Sequence, residues 1–192
     1  TAQEPRRILD MGWAVGNSTL PWARAFPDAE VHAIDVAAPV LRHGHARARS
    51  MGVAVHFSQQ NAEATDFEPG SFDLVVSHIM LHETSLVALP RIFRESQRLL
   101  RPGGAAFFST INRNLAAYMV TIVGAEYLLG VLPRGTHDYS RYIRPSELDD
   151  WARQAGLALE ELAGIEVAGK DGFRIGDSVR VNYIAHCRRV AP

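Results

Sequence analysis

Through its first 111 residues the chain repeats one pattern: a short apolar run closed by turn-forming residues, then a segment of helical periodicity, with short connections between them. Runs at 7–11, 31–36, 53–57, 72–77 and 105–110 read as strands, and segments at 18–26, 39–50 and 89–100 as helices. Strands that alternate with helices over short loops predict a parallel sheet with helices on both faces and right-handed crossovers. The 72–77 run is continuously apolar enough for a central strand covered on both sides. The helix after it sets Leu89, Ile92, Phe93, Ser96, Leu99 and Leu100 along one side, with Arg91, Arg94, Glu95 and Arg98 on a solvated opposite face. Past Ile111 the rhythm changes. Residues 114–132 are mostly apolar, 134–144 form a polar, aromatic loop, and 145–154 a short helix. Strands near 157–162 and 179–187, separated by a glycine-containing turn at 170–177, are expected to form an antiparallel hairpin.

At 192 residues and 47% hydrophobic content, one domain with one sizeable core is expected. Twenty basic and 21 acidic residues leave a net charge of -1, so the global balance offers nothing to nucleic acid or an anionic membrane. A single cysteine, Cys187, rules out an intrachain disulfide and a thiolate metal cluster. Residues 1–7 are polar and do not resemble a signal peptide, so a cytoplasmic setting is expected. The first strand starts by about Arg7, which leaves no preceding helix to cover a ligand and suggests that a partner or further polypeptide supplies one.

The stretch Asp10-Met11-Gly12-Trp13-Ala14-Val15-Gly16-Asn17-Ser18-Thr19 joins the first strand to the first helix, which Asn17 or Ser18 can cap. Glycines there permit a tight turn and let a ligand approach the backbone at a helix N-terminus. Asp35 follows at the carboxyl end of the second strand, where a carboxylate can accept hydrogen bonds from both hydroxyls of an adenosine ribose. A pyrophosphate-binding turn would have glycine where Ala14 stands, and no Gly-Lys-Ser or Gly-Lys-Thr phosphate loop occurs, so dinucleotide and ATP-hydrolysing readings are disfavoured.

These features resemble the class I S-adenosylmethionine-dependent methyltransferases, and residues 111–188 are similar to the ubiquinone-biosynthesis O-methyltransferases. The narrower likeness rests on Ser109-Thr110-Ile111-Asn112-Arg113-Asn114, Val123-Gly124-Ala125-Glu126-Tyr127, Gly135-Thr136-His137-Asp138-Tyr139, Ile143-Arg144-Pro145-Ser146-Glu147-Leu148 and Val181-Asn182-Tyr183-Ile184-Ala185-His186. The resemblance implies a Rossmann-like α/β fold: a mostly parallel seven-stranded sheet, helices on both faces and a C-terminal antiparallel hairpin. It further implies one methyltransferase domain over 1–192, with a hydrophobic substrate-side or membrane-facing insertion at 113–145. Asp10, Gly12, Ala14 and Gly16 would frame the methionine part of S-adenosylmethionine and Asp35 its ribose. Asn61 and Ala62 would approach the adenine, while Ser77 and His78 would face the sulfonium. Trp13 and Ala14 replace the small residue and glycine usual in the family, so the indole either clashes with cofactor, packs outward or fills a vacancy.

The carboxyl end of the fourth strand, Ser77-His78-Ile79-Met80-Leu81-His82-Glu83-Thr84-Ser85, is where an open α/β sheet places chemistry. The ubiquinone-pathway relatives carry Glu-x-x-Glu-His here, associated with a divalent metal; this chain has Ile79, His82 and Glu83 instead. The family motif is therefore not intact, and no metal ligands are assigned. His78, His82 and Glu83 would suit zinc or iron if the segment were helical, which leaves a divalent metal open. A phenol is a poor nucleophile until its proton leaves, and histidine is the base matched to neutral pH. The candidates are His78, His82 and His137, with His137 favoured by the resemblance; Asp138, adjacent to it, is poorly placed to orient its ring. Each of them also has a purely structural reading, as a locally hydrogen-bonded histidine or part of a loop packed by Tyr139 and Tyr142.

Residues 115–132 hold one charge, Glu126, and as a helix would run about 27 Å. Glu126, Thr121 and Gly124 argue for a helical lid rather than a membrane span. The relatives use this region toward lipid, which implies weak peripheral contact at the inner face of the membrane. The expectation is an O-methyltransferase for a phenolic, lipid-like quinone precursor, with no nucleic-acid partner. The alternatives are a methyltransferase for another small molecule, or an inactive cofactor-fold domain.

Overall fold

The computed structural model describes residues 4–12, 18–168 and 172–190. Among the described residues eight strands form one sheet in the order β3-β2-β1-β4-β5-β8-β6-β7. The parallel part comprises β1 (Arg7–Met11), β2 (Glu30–Asp35), β3 (His56–Gln59), β4 (Phe72–His78) and β5 (Leu100–Ile111). The antiparallel part adds β6 (Leu157–Val167), β7 (Phe173–Gly176) and β8 (Asn182–Arg189), with β8 inserted between β5 and β6. Chain order reverses between β1 and β4, so the loops leaving the carboxyl ends of these two strands diverge and open a crevice there.

Helices cover both faces, as the alternation predicts. α1 (Thr19–Ala25) and α2 (Ala38–Ser50) lie over one face, packing Ala23 with Ile8, Val31, Leu74 and Val76, and Leu41 and Ala48 with Ala33. α3 (Leu89–Leu99) and α5 (Pro145–Gln154) lie over the other, where Phe93 meets Phe108 with ring centroids 4.6 Å apart and Leu148 and Ala152 join Leu9, Val75 and Tyr183. β4 is buried on both sides, which accounts for its unbroken apolar run.

The sheet has one strand more than the seven expected. β6 is eleven residues long rather than six: β8 pairs along it as far as Ile165, and its opposite edge, from Gly164 to Val167, is open to a further strand. The 173–176 segment, with Phe173 and Ile175 alternating with Arg174, pairs there instead of forming the turn expected at 170–177. The final hairpin is antiparallel as expected, between β6 and β8. β3 starts at His56, because Val53 and Val55 are used earlier, packing under α2. Pro102, Gly103 and Gly104, expected to be a turn before β5, lie within it as an irregularity: the register jumps from Phe72 beside Leu100 to Leu74 beside Ala105. Glu95 does not belong to the solvated face of α3. It is buried, accepting from the Thr65 amide at 2.8 Å, the Thr65 hydroxyl at 2.6 Å and the Arg98 guanidinium at 2.7 Å, and so ties α3 to the loop before β4.

The apolar insertion opens as a helical turn, α4 (Leu115–Tyr118), whose N-cap Asn114 accepts from the Ala117 amide at 2.9 Å, and continues as a π-helix over Met119–Leu128. Among the described residues no helix is long and apolar enough to cross a membrane.

Candidate active site

The carboxyl ends of β1, β2 and β4 and the loop after β3 enclose a cleft of about 610 Å³, roofed in part by Leu132, Thr136 and His137 from the segment after the π-helix. That volume lies within the roughly 300–1,000 Å³ of small-molecule sites. Gly12, Asp35, Asn61, Ala62, His78, His82 and His137 all line it, so seven of the eleven residues singled out by sequence converge on one space. Ala14 and Gly16, like Trp13 beside them, lie outside the described residues.

Gly12 leaves β1 with φ +73°, its amide donating to the Ile34 carbonyl at 3.0 Å. A Cβ there would sit 2.4 Å from Met80 Sδ, so both the turn and the close approach demand glycine. Asp35 ends β2 with Oδ1 accepting from the Ala37 amide at 2.8 Å, which fixes its carboxylate at the rim. Asn61 turns the chain with its own Oδ1, which accepts from the Glu63 amide at 3.0 Å. Asp10 lies beneath, fully buried, accepting on Oδ2 from the Ser18 hydroxyl at 2.6 Å and from the Thr19 hydroxyl. Ser18, one of the two cap candidates, does occupy the N-cap position of α1, but spends its hydroxyl on Asp10 and makes no side-chain cap. Asp10 Oδ1 is buried with no hydrogen-bond partner among the described residues. Burial pushes this carboxyl up to about 6, against the two hydroxyls that lower it and with Asp35 adding to the rise.

Ser77 faces elsewhere. It is fully buried and lines a second hollow of about 380 Å³, bounded by Trp22, Phe107, Ile184 and His186. His78, next in sequence, borders both spaces.

The three histidines are held differently. His78 Nδ1 lies 2.6 Å from the Ser109 hydroxyl, whose oxygen also receives the Ile79 amide at 3.0 Å. Burial lowers the His78 pKa. His82 sits in a 3-10 turn, Leu81–Glu83, so it and His78 do not share a helix face. Its Nδ1 lies 3.2 Å from the Thr110 hydroxyl, and burial first, then His137 and His78, lower it to about 4. His137 Nδ1 lies 2.9 Å from Glu126 Oε1. Glu126 is itself buried on the π-helix and accepts from the Gly135 amide at 2.7 Å and the His137 amide at 2.9 Å. Burial alone would raise the Glu126 carboxyl; those amides and the imidazole outweigh it and hold it below its ordinary value.

Glu126 is the residue that sequence reasoning passed over. In the sequence it stands as the single charge of an apolar stretch, arguing against a membrane span, and within the Val123–Tyr127 block of the resemblance, with no catalytic or positioning role attached to its side chain. Asp138, considered as the partner of His137, is turned to Ser140 and Arg141. Ile79 joins β4 to the 3-10 turn at φ +59°, a region that β-branched residues rarely adopt. Among the described residues no group of three or more His, Cys, Asp or Glu is arranged to hold a metal ion.

A mixed sheet with its switch point at β1 and β4, a glycine turn and a strand-end carboxylate fit the class I S-adenosylmethionine-dependent methyltransferases, and the comparisons show that family. Residues 8–104 match the methyltransferase domain family. The chain is 41% identical over 193 residues to the ubiquinone biosynthesis O-methyltransferase of Methylococcus capsulatus, covering 100% of this chain and 80% of that one. It is also 41% identical to that of Ralstonia nicotianae, over 96% of this chain and 76% of the relative. A solved methyltransferase from Methanosarcina mazei superposes with a TM-score of 0.75 at 18% identity, covering 100% of this chain and 95% of that one. The chain belongs to the methyltransferase family and is an S-adenosylmethionine-dependent O-methyltransferase related to the bacterial ubiquinone-biosynthesis enzymes.

Proposed function

We propose that the protein transfers a methyl group from S-adenosylmethionine to a phenolic oxygen of a catechol-type quinone precursor that carries an apolar tail. The observation that carries this reading is one cleft holding both the adenosyl-type residues, Gly12, Asp35, Asn61 and Ala62, and three histidines. S-adenosylmethionine, when bound, supplies a methyl group on a positively charged sulfur, an electrophile that needs little activation. The chain's own work is to hold and orient. Asp35 fits the ribose hydroxyls, and Asn61 with Ala62 fits the adenine. Asp10 Oδ1, without a partner among the described residues and under the Gly12 turn, fits the ammonium end of the methionine moiety, directly or through an intervening donor.

On the acceptor side, orienting a phenol in line with the methyl group supplies much of the acceleration, and removal of its proton supplies more. His137 is the base in this reading, with the neutral His82 and His78 as hydrogen-bonding neighbours. The apolar tail is supported by the continuity of surfaces: Leu132 lines the cleft, and next to it in sequence Leu128, Leu129 and Val131 lie exposed. This exposed apolar surface suits weak contact with a membrane surface from the cytoplasmic side, where a prenylated substrate would reside.

The test is product analysis. Incubated with S-adenosylmethionine and, separately, a prenylated catechol, an aryl amine and a thiol, the protein is expected to yield an O-methyl catechol. Methylation of the amine or thiol alone would move the assignment to another small-molecule methyltransferase.

A further inference from the structure

Among the described residues, His137 alone of the three cleft histidines has a ring nitrogen within hydrogen-bond distance of a carboxylate. His137 Nδ1 lies 2.9 Å from Glu126 Oε1, and no other described side chain bonds to that ring. The same carboxylate is anchored by two backbone amides, Gly135 at 2.7 Å and His137 itself at 2.9 Å, so it is fixed to the segment that carries the imidazole. Being buried and held as an acceptor, Glu126 can satisfy Nδ1 only by receiving its proton.

We propose that Glu126 is the positioning residue of this site: it holds His137 as the Nδ1–H tautomer, leaving Nε2 to take the phenolic proton in the cleft. This rests on the reading of His137 as the base. In the step, the phenol O–H bond breaks, its electron pair stays on oxygen, and the proton forms a bond to Nε2. Nδ1 keeps its proton and Glu126 its negative charge, which faces the imidazolium until the proton passes to solvent. A carboxylate behind an imidazole is the arrangement that sets tautomer and stabilises the protonated ring in other histidine-base sites. His78 Nδ1 meets the Ser109 hydroxyl rather than a carboxylate, and burial and its histidine neighbours hold the His82 pKa near 4.

The other titratable groups around His137 are His82, at 6.5 Å between ring centroids, and Tyr142 at 6.1 Å. Glu83 stands 3.9 Å from His82, His78 borders the same cleft, and Asp138 is paired with Arg141.

The experiment pairs two acceptors in the full chain: a prenylated catechol, protonated at neutral pH, and a nitrocatechol acidic enough to be already ionised. Glu126→Gln should lower kcat on the first roughly a hundredfold. It should leave KM and S-adenosylmethionine affinity nearly unchanged, and lose less than about threefold on the second, which needs no base. Glu126→Asp should restore part of the rate. Equal losses on both acceptors, or no rescue by Glu126→Asp, would mean a merely structural role. Independently of folding of the variant and of any turnover, the nitrogen-15 spectrum of His137 in the wild-type chain, assigned against His137→Gln, should show Nδ1 protonated and Nε2 bare. A proton on Nε2 of the neutral ring would overturn the proposal. A wild-type chain that methylates neither catechol counts against the substrate reading above, while that spectrum still decides the Glu126–His137 arrangement.

Discussion

The carboxyl of Asp10 is pushed up to about 6 by burial, and its Oδ1 has no described partner. In the unfolded chain the group has its model value of 3.8, so between about pH 4 and 6 the folded chain binds the proton more tightly and stability falls as pH rises through that window. At about 1.4 kcal/mol per pKa unit the penalty at pH 7 is roughly 3 kcal/mol. Asp10→Asn should therefore raise the stability of the ligand-free protein at pH 7 by up to that amount in urea denaturation, with the gain vanishing near pH 4, and should weaken S-adenosylmethionine binding. A variant that is less stable at pH 7 would contradict the burial argument. His82 works in the opposite sense: lowered from 6.5 to about 4, it costs stability as pH falls through that interval. In the wild type the two groups offset each other, so the variant should also lose stability more steeply on acidification from pH 6.5 to 4. At this scale the sequence was informative where chemistry is local. Gly12 and Asp35 are recognisable because a turn and a strand end need them. Glu126 was not, because its partner, His137, lies eleven positions away across a loop whose path no periodicity encodes.

Regular elements were legible in proportion to how much of their burial is set by their own period. α3 and α5 were readable, since one apolar stripe on each meets the sheet. β7 was not, since its pairing depends on how far β6 extends. The 115–132 segment was read as a helical lid, but its apolar composition could not specify the π-helical winding that sets Glu126 inward. Its outward residues are unusually apolar, with Leu128 and Leu129 77% and 73% exposed. If this element meets a lipid surface, each leucine contributes about 1.5–3 kcal/mol on burial. The double variant Leu128→Ser, Leu129→Ser should then lose on the order of a hundredfold or more in partitioning to sedimented phospholipid vesicles, with an unchanged unfolding midpoint. Equal sedimentation of variant and parent would remove the membrane contact from the account.

The whole molecule brings two parts of the chain to one space. The parallel half supplies the crevice at β1, β2 and β4, and the insertion between β5 and α5 supplies Leu132, Thr136 and His137 to its roof. The first was legible because α/β alternation fixes where ligands sit; the second followed from family likeness, since nothing in composition says over which edge of the sheet an insertion folds. Both halves depend on the cleft accepting an adenosyl ligand at Asp35. Calorimetric titration of S-adenosylmethionine into the wild-type chain and Asp35→Ala tests that directly. One bound molecule per chain is expected, with affinity falling roughly 10- to 100-fold in the variant, as loss of a charged hydrogen-bond acceptor worth about 1.5–3 kcal/mol requires. Equal affinity in both proteins, or no binding by the wild type, would contradict the account.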